Sequence, residues 1–293
     1  MSKFDSLDST GILLTKGELD EVTGSDVAAN GAFYRAAEFD EVGISPVSNG
    51  LAKRLHANGL MQVANYFDDY TLNTYVRGGL VVDLDARGYS GSGSTWDAYV
   101  GTDATLFNTP TYASGNPTFF SFDKDSYEYA TVPDLGDLNV WTIESWFRVT
   151  ASLTGQVTMI VGNQWDLSTK FNFTMGTNSA PTNYNINVGF FDGGWRRTAG
   201  FAPSLNTWYH VVGTYDGSIV KQYVNAALDT QTSYSGTPQS GGEVRIARRW
   251  DSSSTDSVNF FPGDISVVRI YNRALTSLEV EQNFDSEKNR FGV

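Results

Sequence analysis

The tryptophans are the residues of this chain best suited to holding a ligand. Three of its seven stand in polar loops: Trp165 in NQWDLST, Trp195 in FFDGGWRRTAG beside Arg196 and Arg197, and Trp250 after Arg248-Arg249 and before DSSSTDS. An indole exposed in such a loop stacks on a sugar ring, and neighbouring polar groups fix the sugar's orientation. Trp146 shares a strand face with Glu144 and Arg148, where it would line the concave side of a sheet. Trp146, Trp165, Trp195, Arg196 and Trp250 are therefore the candidate ligand-binding residues. Each loop tryptophan has a competing reading, packing beneath its own loop, and Trp141 and Trp208 read as core.

Carboxylates offer two further chemistries. Asp123 with Asp125, and Asp251 with Asp256, supply the hard oxygen ligands that calcium prefers, although the same residues serve ordinary turns. A glycosidase needs two carboxyl groups on a common face, about 5 Å apart in the retaining case. The nearest sequence match is Glu38-Phe39-Asp40-Glu41, where Glu38 and Asp40 would share a strand face but Glu41 would not. That segment lies outside the strand-rich part of the chain, and a solvated acidic patch is its simpler reading. Of the two histidines, His56 and His210, the second alternates with Trp208 and Val212 and reads as a packed, hydrogen-bonded residue. The chain has no cysteine, so thiol nucleophiles, thiolate metal sites and disulfides are excluded. GSGSTW is followed by neither a Lys-Ser/Thr pair nor a helix, so it is not a phosphate cradle. No catalytic residues are expected, and the chain is expected not to be an enzyme.

The elements that must position these groups are mostly strands. Asn206 to Leu228 reads as a β-hairpin: Trp208, His210, Val212 and Thr214 alternate with Tyr209, Val211, Gly213 and Tyr215. Asp216-Gly217 then suits a two-residue turn. Both faces carry large apolar groups, which predicts a hairpin covered on both sides. Val140 to Val149 is a second clear strand, with Trp141, Ile143, Phe147 and Val149 on one face and Thr142, Glu144, Trp146 and Arg148 on the other. Thr276 with Glu279 forms a capping-box pattern that opens a C-terminal helix, with Val280 and Phe284 on one side packing at the sandwich edge.

Residues 1–75 have a different texture, with acidic clusters and weak alternation, and read as an N-terminal α/irregular arm or small anchoring subdomain. The net charge of −13 argues against binding nucleic acid. No stretch reaches the roughly 18 apolar residues of a membrane span, and MSKFDSLDST lacks a signal-peptide core. The expectation is a protein made in a cytosol, with no membrane insertion.

Several motifs occur in order: GLVVDLDA (from Gly79), GSGSTW, FSFD (Phe120 to Asp123), TIESWFRV (Thr142 to Val149), NTWYHVVGTYDGS (from Asn206), YVN (Tyr223 to Asn225), RIARR (Arg245 to Arg249) and VVRIYNRALTSLEVEQNF (Val267 to Phe284). The series resembles the laminin-G-like, concanavalin A-like lectin/glucanase family over residues 76–293. It implies an all-β, antiparallel jelly-roll β-sandwich with a short C-terminal helix. The ending NFDSEKNRFGV resembles a variant found in structural proteins of marine tailed phages. That resemblance implies a virion protein whose arm, 1–75, binds other virion proteins, with homo-oligomers and a cell-surface glycan as further partners. The alternatives are a free carbohydrate-binding module or a glycoside hydrolase. Two positions depart from the family pattern: Asn225-Ala226-Ala227 stands where many members have Asn-Gly, and Ser266 where many have an acidic residue. Both departures weaken a carried-over calcium site.

Overall fold

A strand with large side chains on both faces must be covered twice, and Trp141–Val149 is such a strand. The computed structural model describes residues 6–8, 11–13 and 75–293, the last without 156, 164–171, 178–184, 240–241 and 250–258. The chain divides into two compact units, Met1–Thr74 and Tyr75–Val293. In the first, β1 (Ser6–Asp8) and β2 (Gly11–Leu13) pair antiparallel with Ser6 opposite Leu13. The rest of the expected arm, with Glu38 to Glu41 and His56, lies outside the described residues.

The second unit begins with β3 (Leu80–Asp85), β4 (Thr95–Trp96), β5 (Ala98–Val100), β6 (Ala104–Phe107), β7 (Thr111–Ala113) and β8 (Phe119–Phe122). It continues with β9 (Tyr129–Val132), β10 (Trp141–Val149), β11 (Met159–Asn163), β12 (Thr174–Thr177), β13 (Ile186–Phe191) and β14 (Trp195–Arg197). Last come β15 (Trp208–Tyr215), β16 (Ile219–Val224), β17 (Ala227–Ser233), β18 (Val244–Ile246), β19 (Gly263–Tyr271) and the helix α1 (Ser277–Phe291). One sheet of nine strands follows the path β17-β16-β15-β10-β19-β3-β5, with β8 and β7 joined along the start of β19. The other has eight, in the order β14-β13-β12-β11-β18-β9-β6-β4. Stacked face to face, they make the antiparallel jelly-roll sandwich that the alternation predicts.

The inner faces supply the first cover. Trp141, Ile143, Phe147 and Val149 of β10 meet Phe173, Val188, Phe190 and Ile246 from the eight-stranded sheet, all fully buried. The second cover is α1. Thr276 accepts from the Glu279 backbone N–H and Glu279 returns to the Thr276 N–H, the predicted capping box. The helix lies across the outer face of the nine-stranded sheet, not at the sandwich edge. Its Phe291 joins Trp146 and Trp208, and its Val280 joins Val212, Tyr223 and Tyr271. The sheet face there holds too much apolar surface to stay in water, so the helix takes the face.

The turns differ from the sequence reading by one residue. Tyr215 pairs with Val220, which puts Gly217 and Ser218 at the hairpin tip. Gly217 adopts a φ of 95°, and Asp216 accepts from the Ser218 and Ile219 N–H groups, each at 2.8 Å. At the next turn Val224 pairs with Ala227, so Asn225 (φ 48°) and Ala226 (φ 67°) are the two central residues. This geometry favours Asn-Gly, because a Cβ is strained in the left-handed region. Ala226→Gly is therefore expected to stabilise the protein by about 0.5–1 kcal/mol, read as a rise in the urea midpoint at unchanged slope; a lower midpoint would refute this account of the turn.

Candidate functional site

The two outer faces of the sandwich carry the chain's ionic chemistry, and they are built in opposite ways. On the nine-stranded sheet, β3, β10 and β19 bring Asp83, Glu144 and Arg269 into register, with Glu144 opposite Arg269 and Arg269 opposite Asp83. The Arg269 guanidinium donates to Glu144 Oε1 (2.9 Å), to Asp83 Oδ1 (3.0 Å) and to both oxygens of Glu287 from α1 (2.9 and 3.1 Å). His210 of β15 contacts Glu144 Oε1 through Nε2 at 3.1 Å, and Asn283 of α1 donates to Glu144 Oε2 at 2.5 Å. Tyr75 donates to Asp83 and Asn283 to the Tyr271 hydroxyl. Glu144, His210 and Arg269 have no solvent exposure.

Burial alone would raise the Glu144 carboxyl, but Arg269, with the His210 and Asn283 contacts, pulls it down to about 2. Burial likewise works against the Arg269 charge, and the carboxylates of Glu287, Glu144 and Asp83 more than reverse that effect. At the end of the helix Arg290 clamps Asp85 with two hydrogen bonds, at 2.7 and 2.9 Å, and donates to Ser266 at 2.7 Å. Ser266, read from the sequence as a departure, is thus part of the helix anchor. This constellation holds carboxylates and a histidine close together, yet a substrate has no access to it. Its role is to bind the helix.

Trp146 must be corrected on the same grounds. It does not line an open sheet: it is fully buried, stacked against Phe291 (4.0 Å, 9°) and near-parallel to Phe284 (5.7 Å). The helix that covers it comes from the far end of the chain. His210 is the packed, hydrogen-bonded residue its alternation predicts.

The eight-stranded sheet turns a different set outward. Buried Val188, Phe190, Val244 and Ile246 point inward, so Gly189, Phe191 and Arg245 face out. Their cross-strand partners continue one row, Arg197–Gly189–Thr174–Gly162–Arg245–Thr131–Thr105, spanning the sheet. The middle is buried, with Thr174 3% and Arg245 8% exposed, while the flanks keep contact with solvent. At one flank Phe107 and Tyr129 stack in parallel at 4.6 Å, with Arg248 over the Tyr129 ring. At the other, Trp195 packs edge-on to Phe191 and carries Arg197 3.3 Å above its ring.

Of the two arginines beside Trp195, the structure pairs the tryptophan with Arg197. Arg196 turns away, donating through Nε to both oxygens of Asp192 (2.8 and 3.0 Å), with Tyr234 beneath it. Arg197 has no carboxylate partner among the described residues, and its Nε is closed from solvent without a hydrogen bond. Burial, with the like charge of Arg249 nearby, pulls its guanidinium down to about 9. The sequence signal was present: residues two apart in a strand share a face, and Trp195-Arg196-Arg197 forms a three-residue strand.

Asp123 is occupied by its own turn, accepting from the Asp125 N–H and from Ser126, while Asp125 pairs with Lys124 at the surface. Among the described residues no three His, Cys, Asp or Glu side chains gather to hold a metal ion. Trp165, Trp250, Asp251 and Asp256 lie outside the described residues.

Residues 123–281, more than half of the chain, match the laminin-G-type model of the concanavalin A-like lectin/glucanases superfamily. The chain belongs to this family. Its fold resembles that of Trypanosoma rangeli sialidase in complex with the inhibitor DANA, at 17% identity and a TM-score of 0.53, covering 74% of this chain and 34% of the sialidase. It also resembles domain 4 of AbnA, a GH43 extracellular arabinanase from Geobacillus stearothermophilus, in complex with arabinotriose (17%, TM-score 0.54; 70% of this chain, 97% of that domain). The binding domain of Paraclostridial Mosquitocidal Protein 1 is a third (16%, TM-score 0.55; 75% and 54%). The chain thus spans about a third of the sialidase's length, and these likenesses concern the fold. No curated protein matches the sequence.

The sealed carboxylates give a pH prediction. Glu144 ionises more readily in the folded chain than at its ordinary 4.5, so its contribution is complete above that pH and is lost as pH falls toward 2. Glu144→Gln should destabilise the protein at pH 7 by about 3 kcal/mol. It should also flatten the acid limb of stability below pH 4.5, measured by urea unfolding across pH. An acid limb as steep as in the unaltered protein would mean that other carboxylates govern it.

Proposed function

We propose that this chain is a non-enzymatic, carbohydrate-binding structural protein of a phage particle. The sandwich recognises a glycan of the host surface, and residues 1–75 attach it to the particle or to sister subunits. The observation that carries the binding half is the contrast between the two outer faces. The side-by-side carboxylates that a glycosidase would use are ion-paired beneath α1, whereas the flank at Trp195 combines a partly exposed indole with guanidinium groups. Aromatic stacking with polar groups alongside is how lectin-type sites hold sugars. The arabinanase domain bound to arabinotriose, which has this fold, supports the same reading.

The virion half is supported by the resemblance of the C-terminal ending and by the separate N-terminal unit, Met1–Thr74. Many copies on one particle would turn a weak single site into firm attachment. A second reading, a free carbohydrate-binding module, is favoured by the match to 97% of a domain carried by an enzyme.

Trp195→Ala is expected to weaken glycan binding at least tenfold on an array or by calorimetry, with unchanged circular dichroism. Unchanged binding would move the site elsewhere, and release of reducing sugar by the unaltered protein would overturn the non-enzymatic reading. A chain beginning at Tyr75 should keep glycan binding but no longer sediment with particles. Sedimentation without residues 1–74 would place the anchor in the sandwich, and failure of the full chain to sediment would favour the free module.

A further inference from the structure

We infer that Arg197 is an anion subsite, taking the carboxylate or sulfate group of an acidic saccharide whose ring lies against the Trp195 flank. The inference rests on the carbohydrate-binding reading and names its ligand class. Four of the arginines described on these faces have a carboxylate partner. Arg269 has three carboxylates, Arg290 has Asp85, Arg196 has Asp192 and Arg245 has Glu243. Arg197 has none among the described residues, as is also true of Arg248 over Tyr129 at the far flank, and Arg249 adds a like charge to Arg197.

A cation drawn out of water without a counter-ion is unfavourable, and a ligand anion is the group that relieves it. The geometry is open to one. The guanidinium carbon lies 3.3 Å above the Trp195 ring, and a guanidinium keeps its terminal N–H groups as a planar fork. That planar fork matches a carboxylate or a sulfate. Two residues before Trp195, Gly193 has nothing within 4 Å of where a side chain would start.

The test uses the full chain and three probes: trigalacturonic acid, its fully methyl-esterified form, and a sulfated galactose oligosaccharide. Calorimetry is run at fixed ionic strength on the unaltered protein, Arg197→Met and Arg197→Lys. The expected result is that an acidic probe binds at least tenfold tighter than the ester. Arg197→Met should remove that difference, and Arg197→Lys should restore part of it. The two acidic probes tell carboxylate from sulfate. Equal binding of acid and ester, or a preference that survives Arg197→Met, overturns the subsite and leaves the carbohydrate reading standing. If no saccharide binds, thermal unfolding in sodium sulfate against sodium chloride separates the two ideas. Sulfate protection lost in Arg197→Met would keep the anion subsite and overturn its saccharide ligand; no protection would overturn both. Circular dichroism of each variant confirms that the fold is intact.

Discussion

One buried guanidinium holds the second layer of this protein in place. Arg269 lies in a central strand with no solvent exposure, and three carboxylates from two strands and the helix converge on it. None of the four could be buried alone, because an unpaired ion in the interior is costly. Together they satisfy one another, and the arrangement closes only when Glu287 arrives from α1. The helix therefore docks in one register, with Asn283 on Glu144 fixing its middle and Arg290 on Asp85 its C-terminal end. Packing of Trp146 between α1 and the sheet adds the apolar part of the same contact.

This arrangement shuts the Glu144 cluster away from any ligand. A strand that carries Glu144, Trp146 and a histidine neighbour would, on an open sheet, have the composition of a sugar-cleaving or sugar-binding cleft. Under α1 those groups become an adhesive. The charge is neutralised, the indole stacks on aromatic rings of the helix, and water is shut out. The opposite sheet keeps its aromatic and cationic groups at the flanks, and there the guanidinium nearest the indole has no carboxylate partner among the described residues. This contrast is what the proposed recognition on the eight-stranded side rests on.

Much of the fold was legible in the sequence. The alternation of β10 and β15, the hairpin and the capping box are short-range patterns, and short-range patterns survive without knowledge of the partner. What failed was long-range. Nothing near Trp146 reveals that a helix more than a hundred residues later will cover it, and large groups on both faces of a strand read equally well as a buried layer or an open cleft. The turn after β15 slipped by one residue because Asp216 caps it from outside instead of sitting at its tip. Arg196 was preferred to Arg197 because the glycines before it suggest a loop. A strand of three residues, opposite Phe191 and Gly189, sets the face instead.

The proposed anion site would be an unexpected feature of a chain with a net charge of −13, and the physics of screening reconciles the two. At physiological salt, exposed charges are felt over only about 8 Å, so the acidic surface slows the approach of an anion more than it weakens the bound state. A guanidinium partly withdrawn from water is screened far less, and its fork contributes at contact range. Equilibrium selectivity can thus be local and cationic while the overall field stays acidic, keeping crowded copies apart. The combination would suit the displayed module proposed above, in which many slow, modest contacts act together and no single site needs high affinity.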